Sequence, residues 1–148
     1  CIKPIDSVGT SSWTDSSVKT GKTYYYKIKV VVKTQNGNQT SGFSNVKSAK
    51  AVPAKTTLKA KASNAKNVKL TWSKVKGANG YEIYRSNRKD GKYQKVKTIS
   101  KGGTTSYKDG KLKKSTTYYY KIRVYRKVDR KKVYGSYSSV VSVKTKAK

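Results

Sequence analysis

The chain repeats itself at a fixed spacing, and no other feature constrains its fold as tightly. Residues 3–54 align with residues 97–148 at a constant offset of 94, with no gap. The hexapeptide Thr-Tyr-Tyr-Tyr-Lys-Ile stands at 23–28 and again at 117–122. Around it Gly9 matches Gly103, Thr10 matches Thr104, Asp15 matches Asp109, Val30 matches Val124, Ser44 matches Ser138 and Val46 matches Val140. Six consecutive identities, three of them Tyr, are far beyond chance in 148 residues. A period of 94 matches one small β-sandwich per repeat. Residues 53–148 are therefore expected to hold one full module, and residues 1–52 the C-terminal half of another. Cys1 aligns with Lys95, inside a predicted strand, and is read as a boundary within a longer protein rather than as a site.

The complete module reads as all-β. Thr56 to Lys61 alternates weakly, and Asn67 to Trp72 alternates well, with Val68, Leu70 and Trp72 on one face. Gly77 to Gly80 is a turn. Tyr81 to Arg85 follows, with Tyr81 and Ile83 on one face and Glu82 and Tyr84 on the other. Asp90-Gly91 marks a hairpin turn. Tyr93 to Ile99 is a strand, closed by Gly102-Gly103. Thr104 to Asp109 is a short polar strand. Thr116 to Val128 is the longest β-rich run, and Val133 to Thr145 is expected to close the module as one strand. No stretch carries a helical period of useful length. Seven short strands between turns predict a β-sandwich.

Composition removes most chemistry. The chain has no His, so no imidazole base or ligand exists. Its single Cys excludes an intrachain disulfide framework and a Cys-based zinc site. Six carboxylates, scattered between Asp6 and Asp129, make a metal cage or a catalytic acid pair unexpected. The Ser and Thr hydroxyls have no base to activate them. Gly102-Gly103 lacks the Lys-Ser/Thr sequel of a phosphate loop. Apolar runs are only a few residues long, so no membrane span is expected. No enzymatic activity and no cofactor are predicted.

Lys and Arg together number 36 against 6 acidic residues, a net charge of +30. Only Arg85, Arg88, Arg123, Arg126 and Arg130 are Arg, leaving 31 Lys. Readout of bases and phosphates favours the planar Arg fork, whereas Lys is a hydrated point charge on a mobile stem. The Lys residues are also spread along the whole chain. They suit the surface of a β protein that must not pair edge to edge. Charge alone leaves a non-specific nucleic-acid binder as the weakest of the readings.

At this point the residues resemble a family. The module is similar to a fibronectin type III domain, in particular the Lys- and Tyr-rich kind found in secreted or surface proteins of Gram-positive bacteria. Trp72 ends an alternating run like that family's second strand, and Gly-Tyr-Glu-Ile-Tyr-Arg at 80–85 is similar to its third. Leu112 followed by Tyr118 resembles the Leu and Tyr of the family's tyrosine corner, with Val18 and Tyr24 in the same places of the half module. Gly135-Ser-Tyr-Ser-Ser139 resembles the start of the last strand. Lys114-Ser115 departs from the Pro-Gly that the family often carries there. The adhesive tripeptide Arg-Gly-Asp is absent. The resemblance implies an immunoglobulin-like, seven-stranded sandwich and a non-catalytic role outside the cell.

Leu70, Trp72, Tyr81, Ile83, Ile99, Leu112, Tyr118, Tyr120, Ile122, Val124 and Val140 are expected to line the core. The positions alternating with the core on the longest run are Tyr119, Lys121, Arg123 and Tyr125, and Tyr84 is expected on the same outer face. Aromatics interleaved with cations form a candidate platform for sugar rings or for a polyanion such as teichoic acid. The ordinary reading of the same residues is cross-strand Tyr pairs with Lys stems packed over them. Tyr25, Lys27 and Lys29 form a weaker set in the half module. The leading expectation is an extracellular structural spacer within a larger cell-surface or secreted protein. Its partners would be neighbouring domains of that chain, and the short joint Ala51-Val-Pro-Ala-Lys55 supports it. The second expectation is a module that binds cell-wall polyanions or polysaccharide.

Overall fold

The structure is a computed structural model, and it describes Ile5, Gly9 and residues 11–148. Cys1 lies outside the described residues. The chain divides into two compact units, Cys1–Ala51 and Val52–Lys148. Every regular element among the described residues is a strand.

The second unit carries eight strands, β5 to β12. Strands β5 (Leu58–Asn64), β6 (Asn67–Trp72) and β9 (Ser106–Asp109) form one antiparallel sheet in the order β5-β6-β9. Strands β7 (Gly80–Ser86), β8 (Gln94–Ile99), β10 (Thr117–Val128), β11 (Lys131–Tyr134) and β12 (Val141–Lys144) form the other. In that sheet β10 is central. It pairs with β7 on one side and successively with β12 and β11 on the other. This is a two-layer β-sandwich. Its strand order is that of an immunoglobulin-like fold.

Period-two alternation sends one row of each strand into the interlayer space. Leu58, Val68, Leu70 and Trp72 come from the first sheet, and Tyr81, Ile83, Tyr120, Ile122 and Val124 from the second. Leu112 joins them from the loop before β10. The Trp72 and Tyr81 rings meet at 5.4 Å with a 56° tilt. Each such side chain contributes about 1.5–3 kcal/mol on burial. Ile99 and Tyr118 sit at the margin of this core, half-buried and packed against it.

Two expectations fail here. The segment after β10 is not one strand. It folds back at once through the two-residue turn Asp129-Arg130, where both residues have positive φ (48° and 64°). That combination matches the twist of a tight hairpin. β11 then ends at Tyr134, and the chain runs irregularly to Val141. Val140 is therefore not a core residue and is 41% exposed. Val141 and Val143 pack against the core instead, because the irregular stretch shifts the alternation by one residue.

A buried polar set closes one end of the core. Asp109 accepts hydrogen bonds from the Tyr120 hydroxyl and from Arg85 Nη1, both at 2.8 Å. Burial, then the Asp109 carboxylate, raises the Tyr120 pKa far above its ordinary value. The Tyr118 hydroxyl accepts from the Lys113 amide at 3.0 Å, next to buried Leu112. Ser115 stands where the Gly of a Pro-Gly pair would suit, and it takes the left-handed φ of 51°.

The first unit repeats the ladder registers of the back half of the second, with the long strand interrupted between Tyr26 and Val31. Strands β1 (Thr23–Tyr26) and β4 (Lys47–Lys50) pair as β10 and β12 do, with Thr23 opposite Lys50 as Thr117 is opposite Lys144. Strands β2 (Val31–Thr34) and β3 (Gly37–Thr40) form the hairpin that β10 and β11 form, with Thr34 opposite Gly37 as Val128 is opposite Lys131. The Tyr24 hydroxyl accepts from the Lys19 amide at 2.9 Å, with Val18 half-buried beside it. The Ile28 amide donates to Ser44 Oγ, and the Ile122 amide to Ser138 Oγ.

Replacing Tyr118 by Phe removes the acceptor of the Lys113 amide. The second unit should lose about 1 kcal/mol. The check is a lower urea midpoint at an unchanged denaturant slope.

Candidate functional site

The outer face of the β8-β7-β10-β11 sheet holds the densest cluster of polar and aromatic side chains described in the second unit. Alternation places Glu82 and Tyr84 of β7 there, with Tyr119, Lys121, Arg123 and Tyr125 of β10 and Lys132 and Tyr134 of β11. Glu82 lies directly opposite Arg123 in the β7–β10 register. Its carboxylate is fully buried although it is on the outward row.

The cause is the set of groups folded over it. Glu82 Oε2 accepts from Arg123 Nη2 at 2.8 Å, from Arg123 Nε at 3.2 Å and from the Tyr84 hydroxyl at 2.8 Å. Oε1 accepts from Lys132 Nζ and from the Tyr134 hydroxyl, both at 3.0 Å. Lys95 adds a longer ion pair at 3.7 Å. Burial alone would raise the Glu82 pKa. The hydrogen bonds from Arg123, Tyr84, Lys132 and Tyr134 outweigh that effect and hold it down at about 2. The Tyr84 hydroxyl is pushed well above its usual range by burial and by its bond to Glu82.

Aromatic rings fill the space between these charges. The Arg123 guanidinium lies 3.7 Å from the centre of the Tyr134 ring and 5.2 Å from those of Tyr84 and Tyr137. Lys121 Nζ lies over both Tyr93 and Tyr137, at 4.3 Å and 4.4 Å. Tyr84 and Tyr137 meet edge to face at 5.2 Å. Such contacts are worth about 0.5–1 kcal/mol each near a surface.

The expected ligand row is thus rearranged. Tyr84 and Arg123 belong to the Glu82 cluster, and Lys121 is held between two rings. Tyr119 is half-buried on the same face. Tyr125 is corrected most: it is 1% exposed and offers no ring to a ligand. Its partner across the ladder is Gly80, which has no side chain. The Tyr125 ring settles into that gap, and a Cβ on Gly80 would meet it at about 2.6–2.7 Å. Lys132 covers the ring at 4.5 Å.

Sequence reasoning missed Glu82 as the centre of the face, and with it Tyr93, Lys132, Tyr134 and Tyr137. One signal was present: a lone carboxylate, between the core residues Tyr81 and Ile83, in a chain carrying 36 cations. Tyr134 and Lys132 had no comparable signal, because their placement depends on the hairpin at Asp129-Arg130. Among the described residues no group of three or more acidic, His or Cys side chains could hold a metal ion. No helix described is long and apolar enough to cross a membrane.

An all-β sandwich of three- and five-stranded sheets defines an immunoglobulin-like module. Comparison with solved structures narrows the class: the neighbours are fibronectin type III domains, and this chain shares their fold. An Fn3-like protein from Clostridium thermocellum is 28% identical, with a TM-score of 0.54, over 64% of this chain and 95% of that one. A human domain, the sixth of fibronectin type III domain containing protein 3, is 17% identical with a TM-score of 0.54 over 68% of this chain and 92% of its own. The chicken CNTN1 FN1-FN3 structure, 22% identical with a TM-score of 0.56, spans 90% of this chain and 46% of that one. No family model and no curated protein matches the sequence. Fibronectin type III domains are generally non-catalytic modules.

Glu82→Gln should destabilise the second unit by about 2 kcal/mol at pH 7, because Arg123 and Lys132 lose their charged acceptor. The Glu82 pKa is depressed in the folded state, so its contribution is complete above about 4.5 and is lost as pH falls towards about 2. The gap in urea midpoint between the native chain and the variant should close over that interval.

Proposed function

We propose that this chain is an extracellular structural spacer within a larger cell-surface or secreted protein, acting through its neighbours rather than through a reaction. The joint between the units carries this reading. Ala51 is still hydrogen-bonded within the first unit, its amide to the Lys22 carbonyl and its carbonyl to the Gly21 amide. Pro53 is already buried, with its carbonyl against Gly135. Val52 alone separates them, and a joint of one residue followed by Pro limits rotation between modules. Fibronectin type III domains are commonly extracellular, which supports the location.

The outer face supports the same reading. Arg123, Lys132, Tyr84 and Tyr134 direct their donors to Glu82 rather than to solvent. Arg85 is likewise engaged by Asp109, and Arg126 Nη2 by the Lys76 carbonyl. Three of the five Arg side chains, Arg85, Arg123 and Arg126, are thus engaged within the protein, which weighs against specific nucleic-acid recognition through them.

A second reading rests on Lys121. An ammonium held between Tyr93 and Tyr137 presents charge and aromatic surface together, as a cell-wall polyanion or polysaccharide would need. Titration with wall teichoic acid at about 0.15 M salt separates the two, since screening weakens diffuse attraction. Binding that saturates, and that Lys121→Ala abolishes, favours the second reading.

The spacer reading predicts that the two units tumble together. Backbone nitrogen relaxation should return similar correlation times for both, and a flexible Gly/Ser pentapeptide inserted between Val52 and Pro53 should separate them. Independent tumbling of the native chain would remove the basis of the proposal.

A further inference from the structure

Four dipeptides of this chain, Asn36-Gly37, Asn79-Gly80, Asp90-Gly91 and Asp109-Gly110, set a side-chain carbonyl carbon beside an amide nitrogen that no side chain shields. Asn is a thermally labile residue, and a following Gly leaves its amide most open to attack. Whether nitrogen meets carbon is decided by the fold, and three of the four are restrained. Asp109 is buried and accepts from Tyr120 and Arg85. Asp90 is an ionised, poorly electrophilic carboxylate, and the Gly91 amide donates to the Arg88 carbonyl at 3.2 Å. Asn79 Oδ1 accepts from the Lys127 amide at 2.7 Å, and the Asn79 amide donates to the Tyr125 carbonyl at 3.0 Å. Gly80 is buried opposite Tyr125, against that ring and the Ile99 carbonyl.

Asn36 is exposed at the tip between β2 and β3, two strands whose residues are all exposed. No hydrogen bond among the described residues holds its side chain. Gly37 takes a φ of 107°, and nothing lies within 4 Å of where its Cβ would stand. The turn is closed by the pairing of Thr34 with Gly37 and by the Thr34 hydroxyl, which donates to the Gly37 carbonyl at 2.7 Å. The end pair of an exposed hairpin opens at little cost. The tip is equally open in the complete repeat, where position 36 corresponds to Arg130, also exposed.

We propose that Asn36 is a modification site, at which the folded chain deamidates spontaneously while Asn79 is protected. The Gly37 nitrogen attacks Asn36 Cγ. A C–N bond forms, the Cγ–Nδ2 bond breaks, and the amide leaves as ammonia with the proton that Gly37 gives up. The product is a five-membered succinimide. Water then opens the ring. Attack at Cγ leaves aspartate, and attack at the main-chain carbonyl leaves isoaspartate, in which the chain runs on through Cγ. Nothing is oxidised or reduced, and water is the only co-reactant. Either product places a carboxylate on the hairpin tip. Isoaspartate also lengthens the backbone by one carbon, so the Thr34–Gly37 pair and its hydroxyl bond are lost and the hairpin loosens from that end. The proposal rests on neither reading of the function.

The test incubates the full chain at mildly alkaline pH, digests samples in acid and locates each conversion by fragment mass spectrometry. Isoaspartate is confirmed by enzymatic methyl labelling. In the folded chain Asn36 should convert severalfold faster than Asn79, and faster than Asn38, which is exposed on the same hairpin but precedes Gln39. The rate should rise with pH, because the Gly37 nitrogen attacks after losing its proton. In concentrated urea Asn79 should approach the rate of Asn36, since only the fold separates them. Asn36→Gln should abolish the labelling, and amide exchange in β2 and β3 should rise severalfold in the converted chain but not in this variant. Equal conversion of Asn36 and Asn79 in the folded chain would overturn the proposal. So would an Asn36 that stays intact in the folded chain and converts only in urea.

Discussion

The alternation of one twelve-residue strand organises the second unit. β10 runs from Thr117 to Val128 through the centre of the larger sheet, and successive side chains must point to opposite faces. Tyr120, Ile122 and Val124 therefore enter the core, while Tyr119, Lys121 and Arg123 take the outer row. Both layers of contacts hang on this register. A slip of one residue would carry Arg123 into the apolar interior and Ile122 out into water. The Arg123–Glu82 pair and the Tyr120–Asp109 pair, one on each face, both act against such a slip.

The charge of the chain takes its meaning from these pairs. A net +30 repels itself, and two of the six carboxylates, Glu82 and Asp109, sit among cations. Glu82 gathers Arg123, Lys132 and Lys95, and Asp109 holds Arg85. Many of the Lys residues occupy exposed strand positions and turns, among them Lys59, Lys61, Lys69, Lys97 and Lys108. There they hydrate the surface and discourage other chains from pairing with its edges. A basic composition thus describes a surface more than a ligand.

Most of the fold was legible because alternation is local. Asn67–Trp72 is found at its expected bounds, and Tyr81, Ile83, Tyr120, Ile122 and Val124 face inward as their spacing requires. The outer face was legible only in part. Tyr84, Lys121 and Arg123 lie on it as alternation expects, but the gathering at Glu82 was not visible, since Arg123 and Tyr134 reach it from 41 and 52 positions away and the ring contacts of Arg123 depend on the hairpin that brings Tyr134 back beside β10. Tyr125 was misjudged because exposure depends on the opposite residue, and Gly80 leaves it a gap. Val140 was misjudged because a turn and an irregular stretch, not the strand pattern, set its face.

The sequence by itself determined the repeat, the strands as far as β10, their inward rows and the lack of an imidazole. Each of these depends on residue type and near-neighbour spacing alone. Only the tertiary structure decided which carboxylate is buried and which Tyr is sealed. Ile28 and Ile122 stand in the same hexapeptide and make the same local bonds, yet one is exposed and the other buried. Burial is a property of what packs across a face, and that partner is supplied by distant sequence.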